Sequence, residues 1–285
     1  MNPPTPQIEQ AYAECEAIVK KRESNFSLGF SVLPVGRRRA IHVVYAFCRF
    51  VDDISDEVKA AGVEAMLAEW VGELDRIYGA GDPVHPIGIA LRDVLRSYPI
   101  PREGIQELID GCVQDQSVKR CADFAALTEY CELVATSIAK VSLPVYGWNK
   151  DAGVFGYARD LSFAFQLTNV LRDIAEDLER GRVYVPEEDW KRFGLTPEEA
   201  VRGGQPDAFG ELVRFEAARC EDYFERGRRV IECLDPESRP CVRAMWGAYH
   251  TILEKIVADP SRSLRERAGL TAEDKSRILG ESVHE

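Results

Sequence analysis

No stretch of the 285-residue chain approaches the roughly 18–20 uncharged apolar residues that a membrane-spanning helix needs. The opening Met-Asn-Pro-Pro-Thr-Pro has neither the basic start nor the apolar run of a secretion signal. A cytoplasmic protein is expected, with any membrane contact peripheral and at the inner surface. Positive charge is in deficit: 36 Lys and Arg face 48 Asp and Glu, a net −12, which argues against a general nucleic-acid binder. The eight cysteines form no CxxC pair, and His42, His85, His250 and His284 form no metal pattern. The cysteines therefore read as small buried hydrophobes in a reducing compartment, not as a disulfide frame or a zinc site. A Walker A loop and a strand–turn–helix GxGxxG are also missing. Nucleotide phosphoryl transfer of that type has no support, and NADPH, whose use stays open, would have to bind without a Rossmann domain.

What is present is an ordinary globular composition, 45% hydrophobic and 29% charged, so the chain can bury a substantial core. Val44, Phe47, Val51 and Ile54 recur at helical spacing, as do Leu167, Leu171, Ile174 and Leu178, whereas alternating strand-like runs are almost absent. The breaks read as helix connectors, among them Gly81-Asp82-Pro83, Tyr146-Gly147-Trp148-Asn149 and the Gly194–Asp207 region. Pro186-Glu187-Glu188-Asp189 reads as a helix start. No linker or repeat divides the chain. One all-α domain over residues 1–285, with roughly eight to a dozen helices, is the economical expectation.

Two acidic clusters stand out. At 100° per residue, Tyr45, Arg49, Asp52 and Asp56 fall within about 60° of one another on a helix that begins near Arg38. Gln166, Asn169, Asp173 and Asp177 share a second face within about 80°, beside a core-facing stripe. Carboxylates four residues apart repel one another, so a single pair reads as a solvated face. Two such clusters on separate helices, each backed by apolar residues, point to bound cations instead. Hard oxygen donors without histidine suit Mg²⁺, which keeps several waters and shares its remaining positions with phosphate oxygens.

The segments Val44-Tyr45-Ala46-Phe47-Cys48-Arg49-Phe50-Val51-Asp52-Asp53-Ile54-Ser55-Asp56-Glu57, Gln166-Leu167-Thr168-Asn169-Val170-Leu171-Arg172-Asp173-Ile174-Ala175-Glu176-Asp177 and Gly181-Arg182-Val183-Tyr184-Val185-Pro186 closely resemble the squalene/phytoene synthase family. The likeness runs over most of the chain. It includes Asn25-Phe26, Tyr130-Cys131 with Val134-Ala135, and Tyr249. The resemblance implies the all-α isoprenoid synthase fold, a helical bundle with a central substrate cavity, and head-to-head condensation of two prenyl diphosphates. It implies Asp52, Asp56, Asn169, Asp173 and Asp177 as ligands of Mg²⁺, with Mn²⁺ as the alternative. It further implies Arg49, Gln166, Arg182 and Tyr184 for diphosphate, Tyr45 and Tyr249 along the cavity, where Phe26 and Val134 are candidate wall residues, and Asp115 near the reaction centre. A carbocation must meet the second substrate before it meets water, so dry aromatic or apolar walls are expected, with Phe47, Leu161 and Phe165 as further wall candidates.

Two departures bear on product. Family members often carry Tyr where this chain has Cys121, and Gly where it has Ala139; both changes would reshape the cavity wall. Asn25-Phe26 and Gln114-Asp115-Gln116 look closer to bacterial members of the squalene and hopanoid branch. Two farnesyl diphosphates, proceeding through presqualene diphosphate towards squalene or hydroxysqualene, are therefore the expected chemistry. Phytoene synthesis from two geranylgeranyl diphosphates is the near alternative. A class I terpene cyclase, suggested by the DDxxD spacing of Asp52-Asp53 and Asp56, or a non-catalytic relative, is more remote. Arg37-Arg38-Arg39 reads as a solvated helix start, and the Arg262–Arg267 segment as a cap on the pocket or a contact with the bilayer.

Overall fold

The computed structural model describes residues 4–22, 25–57, 60–115 and 119–284. Among the described residues the regular structure is helical: α1 (Pro6–Arg22), α2 (Asn25–Phe30), α3 (Val35–Glu57), α4 (Ala60–Tyr78), α5 (Pro86–Val94), α6 (Arg102–Asp115) and α7 (Phe124–Cys131). A π-helical turn, Glu132–Thr136, leads directly into α8 (Ser137–Tyr146), followed by α9 (Val154–Arg172), α10 (Ile174–Glu179), α11 (Glu187–Arg192) and α12 (Pro197–Val201). The chain continues through α13 (Pro206–Arg228), α14 (Val230–Cys233), α15 (Arg239–Ala258), α16 (Pro260–Ser263) and α17 (Ala272–His284). Among the described residues extended pairing is confined to two isolated bridges, Arg120 with Val183 and Trp148 with Leu234. The all-α expectation holds. The helices outnumber the dozen expected because several connectors, such as Pro197–Val201 and Val230–Cys233, close one helical turn of their own.

Local chemistry explains many of the boundaries. Thr196 accepts from the Glu199 amide while Glu199 reaches back to Thr196, a capping box ahead of Pro197. Asp123 caps α7 through the Ala126 amide at 2.8 Å. Pro186 stands at the N-cap of α11, as the sequence suggests, with Glu187, Glu188 and Asp189 in its first turn.

The long helices pack side by side: α9 along α13 and α15, α15 along α2 and α17, and α3 against α1, α5, α6 and α8. Gly227 and Gly29 permit close approaches of this kind, because a β-carbon would sit 2.4 Å from the Leu161 amide and from the Cys241 carbonyl oxygen respectively. A continuous apolar core runs through α1, α3, α4–α9, α13 and α15, and includes Phe47, Leu74, Leu91, Phe163, Phe209 and Phe224. No helix among the described residues is long and apolar enough to cross a membrane. Three of the helices in this bundle, α3, α9 and α15, line one cavity, and a polar clamp ties the starts of α3 and α15 together.

That clamp sits where α3 and α15 begin and α8 ends. Arg37 donates to the carbonyls of Tyr146 and of Val145 (3.2 Å), to Ser238 Oγ (2.8 Å) and to Asp235 (2.6 Å), and pairs with Glu237 at 2.8 Å. Arg38 donates to the Ser31 carbonyl, and Arg39 pairs with Glu9 while lying over the Tyr12 ring. The triple-arginine run is therefore not a simple solvated helix start: Arg37 is buried in a structural network that joins three helix ends. Gly147 makes the network possible, with φ +69° and no room for a β-carbon, which would lie 2.1 Å from Asp235 Oδ2.

Candidate active site

A cavity of about 690 Å³ runs between α2, α3, α8, α9 and α15. Tyr45, Arg49 and Asp52 line it from successive turns of α3, the shared face read from the sequence. Gln166, Asn169, Asp173 and Asp177 line it from α9 and α10, and Phe26, Val134, Arg182, Tyr184 and Tyr249 complete the set. The side chains of Asp56 and Asp115, also expected here, lie outside the described residues. The two acidic clusters thus open onto one space, although they stand more than a hundred residues apart in sequence.

The second cluster is not one straight helix. Asp173 leaves helical geometry (φ −105°, ψ 14°), closing α9 and opening α10. The helical amide bonds continue across the break, from Asp173 N to the Asn169 carbonyl at 2.9 Å and from Asp177 N to the Asp173 carbonyl at 2.8 Å. Asn169, Asp173 and Asp177 therefore remain one turn apart and all face the cavity.

The electrostatics of this end are finely divided. Arg172 donates to both oxygens of Asp173, at 2.8 and 2.6 Å, and Arg267 does the same from the far side, at 2.8 and 3.0 Å. Burial opposes the ionised form of Asp173, but these hydrogen bonds and positive charges outweigh it and hold the carboxyl below its usual pKa. Asp177 goes the other way. Burial first, then the charges of Asp173 and Glu176, push its pKa up to about 7, only partly offset by Arg182 and Arg180. Arg49 in turn pairs with Asp52 at 3.3 Å and Asp53 at 3.1 Å, and Cys112 lies 3.6 Å from Asp52 Oδ1.

Among the described residues no three His, Cys, Asp or Glu side chains already form a metal cage. The donor chemistry nevertheless fits a hard divalent cation. Asn169 Oδ1 is buried with no hydrogen-bond partner, an acceptor that lacks a positive group. Asp177 is a crowded carboxylate that a cation would relieve, and Asp52, Asn169, Asp173 and Asp177 supply only oxygen.

Away from these groups the wall is apolar and aromatic. Tyr249 stacks on Phe165 at 4.4 Å, and Phe26 contacts both rings, at 5.0 and 5.8 Å. Tyr130 stacks on Tyr184 at 4.5 Å. Burial raises the Tyr249 hydroxyl to about 12, so it stays protonated. Leu161 and Phe165 line the cavity as expected, but Phe47 does not: it is fully buried on the opposite side of α3, edge-on to Trp70 at 5.3 Å. Cys121 likewise lies off the wall, buried where its amide bonds the Val183 carbonyl, whereas Ala139 does line the cavity. His250 stacks on Trp246 away from the cavity lining. The sequence pattern pointed to no role for Arg172, and to Arg267 only as part of a capping segment. Arg267, with Ala268 and Gly269, brings the segment after α16 to the cavity mouth, in line with the expected cap.

The sequence profile of the squalene/phytoene synthase family matches residues 19–274. The phytoene synthase of Mycobacterium bovis is 35% identical, over 97% of this chain and 92% of its own length. Among solved structures, a dehydrosqualene synthase in complex with ligand superposes with a TM-score of 0.87 at 27% identity, covering 97% of this chain and 96% of that one. A squalene synthase from Alicyclobacillus acidocaldarius does so with a TM-score of 0.80 at 26% identity, covering 89% and 95%. The bundle is thus the isoprenoid synthase fold, and the chain belongs to the squalene/phytoene synthase family, as a prenyltransferase of that type.

Proposed function

We propose that this chain joins two prenyl diphosphates head to head, with the diphosphates held at the acidic end of the cavity and both hydrocarbon tails along its apolar length. The observation that supports this most directly is the polarity of that single space. Asp52, Asn169, Asp173 and Asp177 stand at one end, and the Phe26, Phe165 and Tyr249 rings continue from it. An anionic head on a long apolar tail matches that gradient.

Asp52, Asn169, Asp173 and Asp177 would hold Mg²⁺, or Mn²⁺ in its place, and such an ion supplies positive charge to a departing diphosphate. Arg49, Arg172, Arg182 and Gln166 line the same end and would bind and orient the diphosphate as its charge grows. Tyr45 lies one turn before Arg49, at the boundary between polar and apolar lining. The aromatic faces of Phe26, Phe165 and Tyr249 favour the allylic cation left behind and, with Val134 and Leu161, exclude water from it.

The longest lined span favours twenty carbons, whereas the lined span of α3, Ile41–Asp52, is about 16 Å. Asp173 and Ala158 both line the cavity fifteen residues apart along α9, which at 1.5 Å per residue is about 22 Å. An isoprene unit adds four main-chain carbons, each advancing about 1.25 Å when bonds are ~1.5 Å long, so a C20 tail spans about 20 Å and a C15 tail about 15 Å. The mycobacterial relative's name, phytoene synthase, points the same way. Farnesyl diphosphate, with squalene or hydroxysqualene as product, is the second reading, supported by the likeness to the dehydrosqualene and squalene synthase structures. The test is product analysis by chromatography and mass spectrometry after incubation with each diphosphate and Mg²⁺, with and without NADPH. A C40 hydrocarbon from geranylgeranyl diphosphate supports the first reading and a C30 product from farnesyl diphosphate the second. Absence of any head-to-head product from either substrate overturns both.

A further inference from the structure

The end of the cavity remote from the carboxylates has its own construction. Ile41 and Val44 on α3, Val242 and Met245 on α15, and Leu143 and Tyr146 on α8 line it, next to the clamp that joins the starts of α3 and α15 to the end of α8. The order of residues fixes the direction. Along α3 the lining runs from Ile41 to Asp52, and along α15 from Val242 to Tyr249, whose ring packs on Phe165 and feels the charge of Arg172. Tyr146 therefore lies at the tail end.

Its backbone is held in place from several sides. The Tyr146 carbonyl accepts from Arg37 and from Ser238 Oγ, the latter at 2.7 Å. The next residue, Gly147, donates to the Leu143 carbonyl at 2.9 Å and accepts from the Asp235 amide at 3.1 Å. The Tyr146 ring is buried, and its hydroxyl donates to Met245 Sδ at 3.7 Å, a weak acceptor that suits an apolar surround. The clamp thus fixes the backbone that carries the ring, and burial holds the ring itself against its neighbours.

We propose that the Tyr146 ring, backed by Met245, is the floor that limits the length of prenyl tail this cavity accepts. The inference rests on the prenyl diphosphate reading above and adds to it the residue that sets specificity. Measured along α9, a C20 tail of about 20 Å fits the lined span of about 22 Å, whereas a C25 tail of about 25 Å overruns it. An isoprene unit without room costs at least about tenfold in binding, since even one misplaced methylene in an apolar pocket costs about that much. Replacing Tyr146 by Ala opens the floor, and Met245→Ala opens it from the neighbouring helix.

The test is calorimetric binding of the unreactive S-thiolodiphosphates of C15, C20 and C25 alcohols in Mg²⁺, so that it does not depend on turnover. The wild-type protein is expected to bind C20 at least about tenfold more tightly than C25. Tyr146→Ala and Met245→Ala should each erase or reverse that preference, while Tyr146→Phe, which keeps the ring, retains the wild-type order. Circular dichroism establishes which variants fold, and Met245→Ala decides the matter if Tyr146→Ala does not. A folded enlarging variant that keeps the wild-type preference for C20 over C25 overturns the floor. Failure of the wild-type protein to bind any of the three analogues instead removes the prenyl diphosphate reading itself.

Discussion

Asp177→Asn should make the metal-free protein more stable at neutral and alkaline pH while removing its activity. Asp177 is an acid whose folded-state pKa, about 7, stands well above the ordinary 3.8, because burial and the charges of Asp173 and Glu176 oppose its ionisation. The unfolded chain releases this proton at low pH and the folded chain holds it, so the wild-type protein loses stability as pH rises from about 4 to about 7. Above that range the penalty is constant. The gap in pKa sets an upper bound of about 4 kcal/mol, which partial solvent access reduces to about 1–2 kcal/mol. Asparagine has nearly the same shape and no charge, so at pH 8 in EDTA the variant should melt about 2–6 °C higher. The difference should shrink towards zero as the pH falls below about 4. Saturating Mg²⁺ with inorganic diphosphate should reverse the ranking, because the wild-type carboxylate gains a cation that the amide holds poorly. A variant that melts at or below the wild-type temperature at pH 8 refutes the electrostatic account of this end of the cavity.

Other expectations concern the scaffold. Gly147→Ala should cost about 3 kcal/mol or more, because φ +69° disfavours a β-carbon and the new atom would strike Asp235; urea unfolding measures it. Phe165→Ala should cost about 3 kcal/mol in the same assay and should lower kcat, since it removes the ring stacked on Tyr249 and touching Phe26. Arg37→Ala should destabilise by about 2–3 kcal/mol, leaving Asp235 and the Tyr146 carbonyl without their main donor; the loss should resist added salt, because Arg37 is mostly buried.

Much of this arrangement was legible because it is local. A helical wheel places Tyr45, Arg49 and Asp52 on one arc, and Gln166, Asn169, Asp173 and Asp177 on another, and the structure opens both onto the cavity. The wheel does not say which of two buried faces meets the cavity. Phe47 is as apolar as Val44, yet it turns towards Trp70 on α4 while Val44 lines the wall. Nor does local pattern announce a contact such as Arg267 with Asp173, ninety-four residues apart, in which an exposed arginine is drawn to a buried acid. The break at Asp173 was hidden for a related reason: the helical amide bonds run through it, so periodicity carries no trace of the altered dihedrals. Arg37 shows the converse, a residue whose neighbours in sequence suggest solvent but whose partners all come from the far third of the chain and the end of α8.

In the proposed function two separate helices act as one binding site for metal and diphosphate. Calorimetric titration of inorganic diphosphate in the presence of Mg²⁺ tests this on wild type, Asp52→Asn, Asp173→Asn and the double variant. Each single change should abolish most of the binding, and the double change should add little, because either aspartate alone cannot retain the shared ligand. Undiminished binding in either single variant, or losses that simply add in the double variant, would show that the two clusters work apart.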